Sequence, residues 1–276
     1  PIDQQTVIRM NRDTLYSAAV VDISRGATLT IPEAGERYLS VMIVNQDHYI
    51  NRVFHEAGEH SLTPDELGSD FVLVAARVLV DAEDPADVAA VNALQDGFGL
   101  ESVAGGAFVP PVYDEESFQR TRNALLELAR GLGGMDRCFG RREDVDPIRH
   151  LLGTATGWGG LPEQEAYYVM VDPGLPVGEY SLTVGGVPVD GFWSVSMYNA
   201  DGYFAPNPQD AYSVNNITAV PNADGTVTIR FGGDLTRPNT LPIVDGWNYA
   251  VRLYRPRPEI IDGTWQFPTF QQETQS

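Results

Sequence analysis

Two stretches of strict alternation dominate the pattern of the chain. Over 192–198, Trp193, Val195 and Met197 fall on one side and Phe192, Ser194, Ser196 and Tyr198 on the other, because successive residues of a strand point to opposite faces. Over 247–254, Trp247, Tyr249, Val251 and Leu253 separate in the same way from Asn248, Ala250, Arg252 and Tyr254. If the two strands share a sheet, one face is apolar core and the other carries Tyr198, Arg252, Tyr254 and two serines along a polar wall. Further strands are predicted at 14–23, 27–32, 37–46, 166–171, 180–184 and 226–231, with turns at Ala200–Gly202 and Asn222–Gly225. The run 71–80 is apolar on both faces apart from Arg77, as a strand covered on both sides requires.

Between the strand-rich halves the period becomes helical. Asp84 and Pro85 stand as N-cap and first residue of a helix over 85–96. A second helix is predicted over 115–130, with Phe118, Arg122, Leu125 and Leu132 on one stripe and Gly131, Gly133 and Gly134 at its end, and a shorter piece over 145–152. Residues 102–113, with Gly105, Gly106, Pro110 and Pro111, read as a linker. Strands, then helices, then strands exclude the alternation of a parallel α/β sheet. The expected fold is mainly β (α+β): two antiparallel β-sandwich, jelly-roll-like domains with a helical insertion. The expected boundaries are 1–100 for the first β domain, 101–160 for the helical region and 161–276 for the second β domain. No repeat of short fixed period is evident.

Composition changes this picture in three respects. The 38 acidic and 18 basic side chains leave a net charge of −20, which repels nucleic-acid backbones and anionic membrane surfaces. All basic residues are arginine, so a lysine Schiff base, a P-loop lysine and a Ser-Lys dyad are excluded. The single Cys138 forbids an internal disulfide. Its arginine neighbours could lower the thiol pKa, although a buried bystander is the plainer reading. No apolar run is long enough to span a bilayer. A chain beginning at Pro1 rather than Met is expected of a trimmed product, and a soluble protein, cytoplasmic or exported, is anticipated.

Several segments resemble known domains. Asn11-Arg-Asp-Thr-Leu-Tyr-Ser17 followed by Arg37-Tyr-Leu-Ser-Val resembles an N-terminal domain of unknown function numbered 1254. Gly191-Phe-Trp-Ser-Val-Ser-Met-Tyr-Asn-Ala-Asp-Gly202, Tyr212-Ser-Val and the run from Arg252 to Trp265 resemble its usual C-terminal companion, numbered 1214. The resemblance implies paired β-sandwich domains flanking a helical segment in a soluble or exported protein. It carries no general biochemical activity and leaves function open.

Candidate chemistry therefore comes from the residues. Arg12 beside Asp13 can hold a substrate carboxylate or position a base, or can simply brace the entry to a strand. Tyr16 follows on that strand. His48, next to Asp47 at a strand end, is the candidate general base, with Asp13 or Asp47 orienting it. His55 and His60 lie close by, but their spacing is not that of a zincin helix and Gly58 interrupts it, so no metal site is expected. Nucleophile-elbow, phosphate-loop and helix-loop-helix calcium patterns are missing. The leading expectation is a cofactor-free hydrolase or lyase acting on a small organic or sugar-like substrate: His48, Asp13 and Asp47 in catalysis, Arg12, Tyr16, Tyr198, Arg252 and Tyr254 in binding. The alternatives are a noncatalytic small-ligand or carbohydrate-binding module, in which the same arginines and tyrosines only hold a ligand, and a structural subunit of a homo-oligomer.

Overall fold

The computed structural model of the protein describes residues 2–5 and 8–272. The chain divides into two compact units, Thr14–Glu165 and Ala166–Ser276 joined by Pro1–Asp13. These bounds differ from those expected from the strand and helix pattern. The helical stretch belongs to the N-terminal unit, and the first thirteen residues belong to the C-terminal one.

The N-terminal unit runs β1 (Thr14–Asp22), β2 (Ala27–Ile31), β3 (Leu39–Asn45), β4 (Ile50–Phe54), β5 (Gly58–Leu62), α1 (Pro64–Leu67), β6 (Phe71–Leu79), α2 (Pro85–Gln95), β7 (Gly99–Ser102), α3 (Glu115–Ala129) and α4 (Pro147–Gly157). One sheet has the order β1-β6-β3-β4 and the other β5-β2-β7, with antiparallel neighbours throughout. Leu29 and Ile31 from one sheet meet Val41, Ile43, Val74 and Val78 from the other in a single buried cluster, closed by Val91 of α2. Burial of such aliphatic side chains, each contributing roughly 1.5–3 kcal/mol, is the main stabilising term. The helices begin where capping chemistry starts them. Asp84, Asp114 and Asp146 each accept a backbone N–H of the first turn, from Ala86, from Ser117, and from Ile148 and Arg149 respectively. α4 runs five residues beyond the expected end at 152, and within it Thr154 and Thr156 donate back to carbonyls of the preceding turn.

The C-terminal unit runs β8 (Ala166–Val171), β9 (Tyr180–Val184), β10 (Trp193–Tyr198), β11 (Ser213–Asn215), β12 (Val227–Phe231), β13 (Thr240–Leu241), β14 (Asn248–Tyr254), α5 (Pro258–Ile261) and β15 (Gln271–Gln272). Its sheets have the orders β11-β10-β14-β8 and β13-β12-β9-β15, and among the described residues only β12–β13 is parallel. Trp193, Val195 and Met197 face Leu182, Ile229 and Phe231 in the core together with Trp247, Tyr249, Val251 and Leu253, and Trp265 packs at the margin. The protein is thus mainly β, built as two antiparallel sandwiches.

The two units share one plan. In each, a four-stranded sheet places the late strand (β6, β14) between the first strand (β1, β8) and the third (β3, β10). In each, the second strand pairs with the fifth (β2–β5, β9–β12) and then with a short late strand (β7, β15). Residues follow the same frame. Ser40, Val41, Asn45, Asp47 and Tyr49 recur at a constant interval as Ser194, Val195, Asn199, Asp201 and Tyr203. The turns they form are bonded identically: Asn45 Oδ1 accepts the N–H of Asp47 at 3.0 Å and of Tyr49 at 2.9 Å, and Asn199 Oδ1 accepts those of Asp201 at 3.1 Å and Tyr203 at 2.9 Å. His48 (φ 66°) and Gly202 (φ 83°) hold the same left-handed position, which favours glycine and strains a histidine. The chain is an internal duplication, although no short-period repeat shows it.

Because each asparagine oxygen holds two backbone N–H groups that the turn's own backbone bonds do not satisfy, Asn45→Ala and Asn199→Ala should each cost about 1–3 kcal/mol. Urea unfolding of the two variants checks this, and comparable losses are expected if the turns are equivalent.

Candidate functional site

In the C-terminal unit, the register of the four-stranded sheet lays Asn215, Ser194, Arg252 and Tyr168 side by side across β11, β10, β14 and β8. These side chains point away from the apolar core, on the face that alternation marks as polar. That face is not wet: Ser194, Ser196, Tyr198 and Tyr254 are buried, and Arg252 is only 4% exposed. A segment of chain ahead of β1 provides the cover. Arg252 donates through Nη2 to the carbonyl of Arg9 at 2.7 Å and to the Tyr198 hydroxyl at 2.8 Å, and through Nη1 to Ser196 Oγ at 2.9 Å. Tyr198 in turn donates to the Met10 carbonyl at 2.7 Å, and Asn11 donates to the Tyr254 hydroxyl at 2.9 Å. Burial opposes the charge on Arg252, but Tyr198, Tyr254 and Asp13 more than offset it and raise its pKa. Burial likewise raises that of Tyr198.

Asp13 is 1% exposed. Its Oδ1 accepts from Asn215 Nδ2 at 3.2 Å and Ser213 Oγ at 3.3 Å, whereas Oδ2 is buried with no hydrogen-bond partner, as is Ser194 Oγ. Arg12 extends to the half-exposed edge, where it meets Asp210 at 3.3 Å and lies 4.7 Å from the centre of the Tyr212 ring. Its hydrogen bond holds the Asp210 carboxyl below the usual range.

The N-terminal unit repeats the row with Ser40, Arg77 and Tyr16 on β3, β6 and β1. Arg77 donates to the Gly159 carbonyl at 2.8 Å, and its guanidinium lies 5.3 Å from the centre of the Tyr16 ring, which is 50% exposed. Here the covering chain is the stretch ahead of β8. His48 is pinned by the same stretch and by α4. Thr154 Oγ1 donates to the His150 carbonyl at 2.7 Å, so the 2.8 Å contact between Thr154 and His48 is made by a proton on Nδ1. Nε2 then accepts the Gly159 N–H at 2.9 Å. The ring is also sandwiched by His150 and Trp158, at 5.4 and 5.0 Å.

This geometry corrects the role expected of His48. Neither ring nitrogen is left to take a proton from a substrate, and the groups that orient it are Thr154 and Gly159 rather than a carboxylate. Asp47 is exposed at the turn, 3.7 Å from Arg142. His55 bonds the Leu39 carbonyl at 2.9 Å and Glu165 at 2.7 Å, while His60 bonds the Glu56 carbonyl. Among the described residues no three metal-ligating side chains cluster, and no helix is long and apolar enough to cross a membrane. The expected set thus divides by unit: Arg12, Asp13, Tyr198, Arg252 and Tyr254 are brought together in one, and Tyr16, Asp47 and His48 lie in the other. Sequence reasoning missed Ser213, Asn215, Thr154, Gly159 and Glu165. The matching Asn-x-Asp-x-Tyr turns and the paired arginines were the signal that would have located them.

Burial, and next the neighbouring His150, pull the pKa of His48 from 6.5 down to about 4. Protonation therefore favours the unfolded chain. The stability His48 contributes is complete above pH 6.5 and is lost as pH falls toward 4, a total on the order of 3 kcal/mol. Unfolding free energies measured from pH 8 to 4 should fall less steeply for His48→Asn than for the native chain; equal slopes would contradict this.

Comparisons with known proteins agree with this layout. Residues 1–64 match the family model described as a protein of unknown function (DUF1254), and residues 176–258 match that of a protein of unknown function (DUF1214). No curated protein sequence is significantly similar. Among solved structures, the chain is similar to the VPA0106 protein from Vibrio parahaemolyticus, with TM-score 0.76 and 18% identity over 95% of this chain and 89% of that one. It is also similar to an uncharacterised protein from Burkholderia cenocepacia, with TM-score 0.56 and 18% identity over 91% and 75% of the two chains. At such identity the likeness concerns the fold. The chain thus pairs an N-terminal match to DUF1254 with a C-terminal match to DUF1214.

Proposed function

We propose that the protein is a noncatalytic binding module for a small polar ligand, held on the polar face of the C-terminal unit beside Asp13. One observation carries the reading. Where Arg252, Tyr198 and Asn11 have spent hydrogen bonds on the chain itself, Asp13 keeps one carboxylate oxygen buried and unpaired. Such a group costs about 1–3 kcal/mol to bury open, more when charged. A ligand that donates to it recovers that cost. Arg252, Tyr198 and Tyr254 then act as the rigid back wall. The net charge of −20 disfavours polyanionic partners and is compatible with a small neutral one.

A second reading shares the same atom. A carboxylate fixed through Oδ1 with Oδ2 free is also the arrangement of a general base, which would make the protein a cofactor-free hydrolase or lyase with Asp13 in the role first given to His48. Turnover separates the two. When the full chain is incubated with a panel of sugars, polyols and small esters, compounds that raise its unfolding temperature should be recovered unchanged by NMR. A compound consumed at a rate that drops a hundredfold or more in Asp13→Asn would overturn the noncatalytic reading.

A further inference from the structure

The duplication allows the two polar rows to be compared as two solutions to one problem. Each unit has a buried serine, Ser40 or Ser194, directly across from a buried arginine, Arg77 or Arg252. Each has an acid three residues ahead of the tyrosine that completes the row: Asp13 before Tyr16, and Glu165 before Tyr168. Through the exchange of covering segments, each acid serves the unit in which its own tyrosine does not lie. Glu165 is closed by His55, the residue that follows β4, with Oε2 2.7 Å from Nε2. Asp13 meets Ser213 and Asn215 of β11, the counterpart of β4, through Oδ1 only. Ser40 Oγ is unpaired like Ser194 Oγ, so an open serine is common to both units. The open carboxylate oxygen belongs to the C-terminal unit.

Resting on the ligand-binding reading above, we infer that this oxygen and Ser194 Oγ form the recognition pair for a hydroxyl group of a neutral, polyol- or sugar-like ligand. The chemistry selects the class. Oδ2 accepts only, and the serine hydroxyl can donate, so a ligand hydroxyl satisfies both at once by donating to the first and accepting from the second. Both groups flank Asn215, whose amide touches Asp13 and whose cross-strand neighbour is Ser194. The next residue of that row is Arg252, so one negative and one positive charge are already present in the cluster. A cationic ligand would leave an excess buried positive charge and an anionic one would face Asp13 directly. A neutral hydroxyl adds no charge and avoids both costs.

The test titrates the full chain by calorimetry with glycerol and glucose as probes, and with methylammonium chloride and sodium acetate as charged counterparts. The expected result is binding of a hydroxylated probe that weakens at least tenfold in Asp13→Asn and in Ser194→Ala and is unchanged in Glu165→Gln. Ser194→Ala removes a single buried oxygen, and it carries the test if Asp13→Asn does not fold. Polyol binding that is indifferent to both variants would overturn this assignment while leaving a ligand-binding module elsewhere on the chain. Preference for methylammonium would overturn the hydroxyl class. Failure of both hydroxylated probes, with only a water molecule between Asp13 and Ser194 in a high-resolution crystal structure, would remove the site and the reading on which it rests.

Discussion

A guanidinium buried on the central strand of a β-sheet is the constraint around which each unit is organised. Taken out of water, such a charge costs several kcal/mol unless oxygens surround it. A sheet cannot supply those oxygens from its own backbone, because its carbonyls are spent on neighbouring strands. The solution is the same in both units. A segment of irregular chain lies over the polar face and turns a carbonyl onto the arginine, Arg9 onto Arg252 and Gly159 onto Arg77. Once a segment is fixed there, hydroxyls and amides around it fall into register: Tyr198 on Met10 and Asn11 on Tyr254 in one unit, Gly159 on His48 in the other. The covering segment is always the one that leads into the first strand of the other unit. Each sandwich is therefore completed by chain that its partner's strand order continues.

Divergence within this common frame explains which residues took on distinct work. At the left-handed turn position, glycine stands in one copy and histidine in the other. The histidine tolerates that backbone because its ring is fully bonded and stacked, and the same bonding removes it from acid–base chemistry near neutral pH. The acids ahead of the first strands diverged in the opposite sense. Glu165 acquired a histidine partner, whereas Asp13 kept an unshared oxygen in a dry cluster. Structural completion in one unit and an unmet hydrogen bond in the other is what a duplicated domain with a single ligand site would show.

Much of the fold was legible in the sequence. Alternation located the main strands because one face of each meets an apolar core, and the Asp84-Pro85 pair located the start of α2 because the capping chemistry is local. Short strands such as β5, β11 and β13 escaped, since two to five residues carry too little alternation to be distinguished from loop. The polar face of β10 and β14 was read correctly as polar, but its cover was not foreseen, because it comes from residues 8–13, distant in sequence and without periodicity. Arg252, Tyr198 and Tyr254 were grouped by alternation alone. Asp13 joined them only through the fold, and no local pattern distinguishes its free oxygen from the bonded carboxylate of Glu165. The duplication was visible in the recurrence of Ser-Val and Asn-x-Asp-x-Tyr at a constant interval, but that interval spans more than half the chain and lies outside any search for short repeats.

The view that buried arginines hold these covering segments in place is tested most directly by hydrogen exchange of the native protein. In Arg252→Met, amides of residues 8–13 should lose protection while those of 158–161 keep it, and Arg77→Met should give the reverse. Unchanged protection in both segments, or equal loss in both from either substitution, would contradict the account.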